Sequence, residues 1–293
     1  MSMNFIRTLG SGLIATALLA GTAFADPSLW HIEDEDSDIY IFGTVHILRP
    51  GLDWQSEEIM EAFESADTVY FEAPVNDPEQ AASMRSALLM NAANPAGVTL
   101  SSLVSEDTWA RIERFAPRAG LSAAQLETVR PWLASVTLGV GFIQAAGYDP
   151  NSGVESTLWP LASEAGKTLA YFETVEEQVG FFANLPPEIE LELLEQTVSD
   201  LEAGPDQLDS LVTAWANGDQ STIDNVMNAQ MRADAPHVHD VIIVQRNERW
   251  AEEIEDMLAG SGTIFIAVGS GHLPGEQGVI SLLRDRGITV AGP

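Results

Sequence analysis

Two of the five histidines in this sequence stand in matching settings. Gly43-Thr44-Val45-His46 follows the apolar run Ile39-Tyr40-Ile41-Phe42, and Gly269-Ser270-Gly271-His272 follows Thr263 to Val268. Each is a G-x-x-H placed directly after a predicted strand. A strand entering a turn calls for a residue that can take positive φ, and glycine does so cheaply. Gly43 and Gly269 are therefore expected to shape the turns. Residues just past a strand's carboxyl end face the crevice where open α/β sheets bind ligands. A histidine held there can coordinate a metal ion or move a proton. Two ordinary loop histidines are the plainer alternative.

Glu72 closes the strand Val69-Tyr70-Phe71-Glu72. A carboxylate in an apolar strand needs a partner, either a metal ion beside His46 or an arginine, unless it sits on an edge strand facing solvent. Two histidines and a carboxylate make a plausible site for a divalent ion with open positions, which would activate water and polarise a carbonyl. Arg246 follows Val241-Ile242-Ile243-Val244 on a predicted helix. It is placed either to stabilise an oxyanion or orient Glu72, or to form a surface ion pair with Glu248 or Glu253. His237 and His239, spaced by two and preceded by Pro236, read as surface residues in a turn. His31 reads as incidental, and the acidic run Glu188 to Glu195 as a solvated helix face. No H-E-x-x-H, P-loop or G-x-S-x-G is present.

The elements that must position these residues repeat one plan at the two ends of the chain. Ile39–Phe42, a helix from Trp54 to about Ala66 capped by Asp53, and the strand Thr68–Ala73 fit a βαβ unit. Thr263–Val268, a helix over Glu276–Arg286 with Gly287 as C-cap, and the strand Ile288–Val290 form its counterpart. The expected fold class is α/β. Its central mixed or mostly parallel sheet is built from two strand–GxxH–helix–strand units with covered faces. Between them, over roughly residues 85–260, lies a helical insert with one further strand at Thr168–Phe172. The acidic stretch Trp30–Asp38 reads as a solvated start. No long linker appears, so residues 26–293 read as one domain.

Composition narrows the function classes. Of 293 residues, 44 are Asp or Glu and 13 are Lys or Arg, a formal net charge of −31. A nucleic-acid binder needs a basic footprint, and an anionic-membrane binder needs Lys/Arg clusters; neither exists here. There is no cysteine, which removes disulfides, thiol nucleophiles and zinc–thiolate sites. Residues 1–25 read as a signal peptide: Arg7, an apolar stretch from Leu9 to Ala20, and Ala23-Phe24-Ala25 as the cleavage signal. The stretch is short of the roughly 20 residues a membrane span needs, and no later segment qualifies. A periplasmic or secreted protein starting at Asp26, with no stable membrane span after cleavage, is expected.

With these residues in view, the sequence resembles the TraB/GumN family, whose animal relatives are the Tiki Wnt-inactivating proteases. The strongest pieces are Tyr40-Ile41-Phe42-Gly43-Thr44-Val45-His46, Ala66 to Glu72, and Ala267-Val268-Gly269-Ser270-Gly271-His272-Leu273. Arg130-Pro131-Trp132, Gly153-Val154-Glu155, Phe172-Glu173-Thr174 with Gln178, and Arg246-Asn247 support them. The resemblance covers nearly all of the chain after residue 25. It implies an α/β fold with both G-x-x-H histidines and the strand glutamate at the active site. It also implies divalent-metal-dependent peptidase chemistry, with manganese or cobalt favoured and zinc possible. Carried over, His46 and His272 are metal-site residues, Glu72 a ligand or general base, and Arg246 a supporting catalytic residue. The family often has Gly-Val-Asp where Glu155 stands, which assigns Glu155 little.

The leading expectation is therefore an exported metal-dependent hydrolase acting on a peptide or protein. The alternative is a non-catalytic envelope protein that binds a peptide or serves polysaccharide machinery. Hydrolysis of another ester or amide is a third. The sequence does not read out the oligomeric state.

Overall fold

A computed structural model describes residues 26–293; the expected signal peptide, residues 1–25, lies outside the described residues. The sheet has five strands: β1 (Leu29–Glu33), β2 (Ser37–Thr44), β3 (Thr68–Phe71), β4 (Thr168–Tyr171) and β5 (Gly262–Gly269). Their order is β1-β2-β5-β3-β4, with β1 antiparallel and the other pairs parallel. The last strand in sequence thus slots between the two strands of the first βαβ unit.

Alternation in β5 shows why both faces are covered. Phe265 and Ala267 point into a core built with Phe42, Val69, Phe71 and Phe63 of the helix Glu57–Ser65. Ile266 and Val268 point the other way, onto Trp250 and Ile254 of the helix Gln245–Leu258 and Leu283 of the helix Val279–Asp285. A parallel strand buried on both sides reads as a continuous apolar run, as this one does.

Several expectations are corrected. The acidic start holds the edge strand β1, in which alternation buries Trp30 and Ile32, while Glu33 and the acids of the following turn, Asp34 to Asp36, are exposed. The first helix starts at Glu57 because Ser56, not Asp53, caps it, accepting from the Ile59 N–H at 3.4 Å. The C-terminal helix is shorter than expected, Val279–Asp285. Ile288–Val290 forms no strand; only Ala291 bridges back to His31, so the second unit lacks the closing strand of the first. Glu190, in the supposed solvated face, is buried and paired with Arg130. His239 is also buried, within the short helix Pro236–His239.

The segment between β3 and β5 is mostly helical, as expected. Its long members are Pro131–Ala145, Val154–Glu164, Val175–Ala183, Pro187–Ala203 and Asp206–Ala216. Among the described residues, no helix is long and apolar enough to cross a membrane.

Candidate active site

The four parallel strands all end at one edge of the sheet, and each delivers a polar residue there. Thr44 at the end of β2 aligns with Gly269 at the end of β5, and Phe71 of β3 aligns with Ala267. Glu173, two residues past β4, donates its N–H to the carbonyl of Glu72 at 2.9 Å. His46, His272, Glu72 and Glu173 thus lie beyond adjacent strand ends, the ligand-binding edge of an α/β sheet. β3 is interior, so the edge-strand alternative for Glu72 does not apply.

Arg246 is buried and organises the carboxylates. Its Nε and Nη2 donate to the two oxygens of Glu173 at 2.7 and 2.9 Å, a bidentate pair. Nη2 also donates to Glu72 Oε2 at 2.5 Å. The other Glu72 oxygen accepts from the Gly269 N–H at 2.6 Å. Burial alone would push the Glu72 carboxyl up. Arg246, His272, His46 and the Gly269 N–H hold it well below the usual carboxylate range instead. Glu173 goes the other way, pushed up by burial against the pull of Arg246. Gln178 donates to Glu173 at 2.6 Å, and the guanidinium lies between the rings of Phe181 and Trp250.

The two histidines are set differently. Asn247 donates from Nδ2 to the carbonyls of His272 and Gln277, so its Oδ1 is the acceptor facing His272 Nδ1 at 2.6 Å. His272 therefore carries its proton on Nδ1 and turns the Nε2 lone pair to Arg246 Nη1, 3.0 Å away. Burial lowers its pKa to about 3, so the ring is neutral. His46 Nδ1 lies 2.7 Å from Glu155, which also accepts from the Thr44 hydroxyl. The Glu155 charge raises the His46 pKa to about 9, against a smaller opposing effect of burial.

The glycines act through close approach, not positive φ. Gly269 has φ −52°, and Gly43 is also outside the positive-φ set. A Cβ on Gly43 would lie 3.2 Å from the Ser270 backbone, so Gly43 lets the two G-x-x-H turns touch. A Cβ on Gly269 would lie 2.9 Å from Glu72 Oε1, 3.5 Å from His272 Cδ2 and 3.6 Å from His46 Nε2. The space over Gly269 is thus the cradle that Glu72 and the two imidazoles share. Gly153 explains Glu155: a Cβ there would lie 2.0 Å from the His46 carbonyl, and Val154 N–H bonds Val45 O at 3.1 Å. This backbone docking brings Glu155 under His46.

The structure thus brings together His46, His272, Glu72 and Arg246, with Gly43 and Gly269 in the turns that join them. It adds Glu155, Glu173, Gln178 and Asn247, which residue reasoning gave no role. Their sequence signal was only their place in the family-like pieces. Glu173 and Glu155 follow an apolar strand and an apolar glycine turn, and a buried acid in such a place asks for a partner. His31, Glu33 and Asp38 on β1 and β2 are the one trio of His, Asp and Glu among the described residues whose ligand atoms all lie within 4.8 Å. They lie on the opposite, edge side of the sheet, where His31 pairs with Asp38 and stacks on Tyr40.

The model of the TraB/PrgY/gumN family matches residues 28–291, and the chain belongs to that family. It is 22% identical to the Escherichia coli (strain K12) protein described as uncharacterized protein YbaP, over 92% of this chain and 96% of that one. It is 26% identical to metalloprotease TIKI1 of Xenopus tropicalis, over 89% of this chain and 60% of that one. The figures for human metalloprotease TIKI1 are 26%, 89% and 61%. The chain thus spans about 60% of the length of those metalloproteases. No solved structure matches.

Proposed function

We propose that this protein is an exported, metal-dependent hydrolase that cleaves peptides. One observation carries the reading: two imidazoles and a carboxylate converge over Gly269 at the strand ends, each imidazole oriented through Nδ1 by a different partner. Asn247 fixes His272 and Glu155 fixes His46, which leaves Nε2 as the second nitrogen of each ring, that of His272 lying 3.0 Å from Arg246 Nη1. Orientation through the second nitrogen is the usual support of a metal-ligating histidine.

The donor types, two imidazoles and a carboxylate, suit a divalent cation; the ligand atoms of His46, His272 and Glu72 do not all lie within 4.8 Å of one another and would draw together on it. Glu72 and Glu173 face the buried Arg246 guanidinium, Glu155 pairs with His46, and the neutral His272 turns its Nε2 lone pair to Arg246 Nη1. His46, His272 and Glu72 would hold the ion, manganese or cobalt as the family resemblance implies, or zinc. When bound, such an ion supplies Lewis acidity, polarising a scissile carbonyl and making water a nucleophile near neutral pH. The chain's own residues do the rest. Arg246 holds Glu72 ionised and aimed, and Glu173 and Gln178 hold Arg246 and Glu72 in place. Glu72, anionic and next to the cradle, serves as ligand or accepts the proton of the attacking water.

The test is a peptide-library digest read by mass spectrometry with Mn²⁺, Co²⁺ or Zn²⁺ added in turn. Cleavage with at least one ion, lost with chelator and in His272→Ala, is expected. No cleavage with any ion favours the non-catalytic peptide-binding alternative.

A further inference from the structure

Next to the candidate site lies a second, larger cavity that the reading above does not use. It occupies about 480 Å³ between the helices Pro131–Ala145, Pro187–Ala203 and Asp206–Ala216 and residues 224–238. Its size suits a bound organic group, and its walls are mostly apolar, with Val136, Leu208, Met227 and Met231 among them. The cavity holding His46, Glu72 and Glu155 has about 370 Å³. Val140 lines both, so the two cavities adjoin at its side chain, which forms a ridge there. Val136 and Val140 are each 36% exposed, one turn apart on the helix Pro131–Ala145.

The far wall is tied to the chemistry as well. Residues Asp224–Ala229 wind as a π-helix, a rare form that recurs at functional sites. From this turn, Asn228 donates to the Gly271 carbonyl at 2.9 Å, and Met227 covers Gly271 so closely that a Cβ there would lie 2.9 Å from its Cε. Gly271 adjoins His272, so the cavity wall and the second G-x-x-H turn are one packed unit. Methionine walls adapt to differently shaped apolar groups.

The cavity also carries two acids, Asp200 and Asp234, and neither has an ion-pair partner among the described residues. Both are exposed at the cavity, Asp200 accepts from Gln196 Nε2 at 2.9 Å, and each leaves carboxylate oxygen free for a cation.

We propose that this cavity is a specificity subsite that takes a large apolar side chain of a peptide, with a flanking lysine or arginine meeting Asp200 and Asp234. The peptide crosses the Val140 ridge, which places its backbone over His46 and Glu72. The inference rests on the peptide reading of the site, and it names the residue class that the site selects. A strongly acidic chain also gathers cationic peptides from solution.

Gly139 gives a clean perturbation. It lines the cavity, and a Cβ there meets only Thr197 Cγ2, at 4.0 Å. Gly139→Phe fills the cavity from a helical position, where replacing glycine does not weaken the helix. Val136→Asp, at an exposed position, charges the same wall without burying anything.

The experiment equilibrates a random peptide library with metal-free wild-type protein and with each variant, and sequences the retained peptides by mass spectrometry. Enrichment of Leu, Met or Phe beside Lys or Arg by about 10- to 100-fold over alanine peptides is expected for the wild type. That enrichment should vanish in Gly139→Phe and weaken in Val136→Asp, with thermal midpoints close to wild type. No enrichment, or equal enrichment in Gly139→Phe, overturns the subsite. Because no cleavage is needed, enrichment in the wild type without hydrolysis under any metal sinks the peptidase reading alone.

Discussion

The pairing of His46 with Glu155 makes a prediction whose size follows from the geometry. A unit charge pair at their 2.7 Å separation is worth about 1.5 kcal/mol in water and about 6 at an effective dielectric of 20. The imidazole is 63% exposed, so solvent screening favours the lower figure. About 1.4 kcal/mol equals one pKa unit. Glu155→Gln keeps the shape and the acceptor oxygen but removes the charge. In metal-free protein the His46 pKa should therefore fall by at least about one, from about 9 toward its ordinary 6.5. Two-dimensional NMR of the imidazole resonances over a pH series reads this directly. With five histidines, His46→Ala assigns the signal. Above pH 9, where the wild-type ring is already neutral, the same variant should bind divalent ions about 10- to 100-fold more weakly, because the carboxylate no longer supports the ligating ring. A His46 that titrates near 6.5 in the wild type, or is unmoved in Glu155→Gln, refutes the argument.

Arg246→Met should destabilise the fold by about 3–5 kcal/mol, because Glu72 and Glu173 remain buried without their cation. Urea titration checks this, and adding Glu72→Gln and Glu173→Gln should restore part of the loss. Gly269→Ala keeps an allowed backbone at φ −52° but puts a methyl into the cradle, so ion retention should be lost while the far-ultraviolet circular dichroism stays that of the wild type. In metal-free protein, the shifts of His272 and Glu72 should lower stability on acidification, while Glu173, raised by burial, acts in the opposite direction. Burial lowers His272 to about 3 from 6.5, so below 6.5 the unfolded chain takes up the proton first. Glu72, held below its ordinary 4.5, adds stability above that value which is lost as pH falls through it. The urea midpoint should drop from about pH 7 to about pH 4, and His272→Gln should flatten the part between pH 6.5 and 5. A flat wild-type profile contradicts the buried neutral imidazole.

What could be read from the residues was what periodicity and local chemistry encode. The apolar runs Ile39–Phe42 and Thr263–Val268 announced β2 and β5, and glycines followed by histidine marked their ends. Glu72 and Arg246 stood out as charges in apolar settings, and the structure pairs them. The failures share a cause, since each depended on a contact distant in sequence. β1 is a strand because β2 offers it an edge, and its acidic residues hid that. Ile288–Val290 has strand composition, but only Ala291 beyond it bridges to β1, at His31. Strand order was equally hidden, because nothing local says that β5 enters between β2 and β3. Gly43 and Gly269 are needed for close approach, not for positive φ. Their value lies in how near Ser270 and Glu72 come, and proximity across the sheet is not written in a turn motif. Glu155 reaches His46 only because Gly153 lets two backbones touch.

The central claim is that His46, His272 and Glu72 together hold one divalent ion. Elemental mass spectrometry after loading with Mn²⁺, Co²⁺ or Zn²⁺ and desalting tests it on wild type, His46→Ala and His272→Ala. The account predicts about one ion per chain in the wild type and little in either variant. Equal retention in all three proteins would place any ion elsewhere, with His31, Glu33 and Asp38 the next trio to examine, and would contradict it.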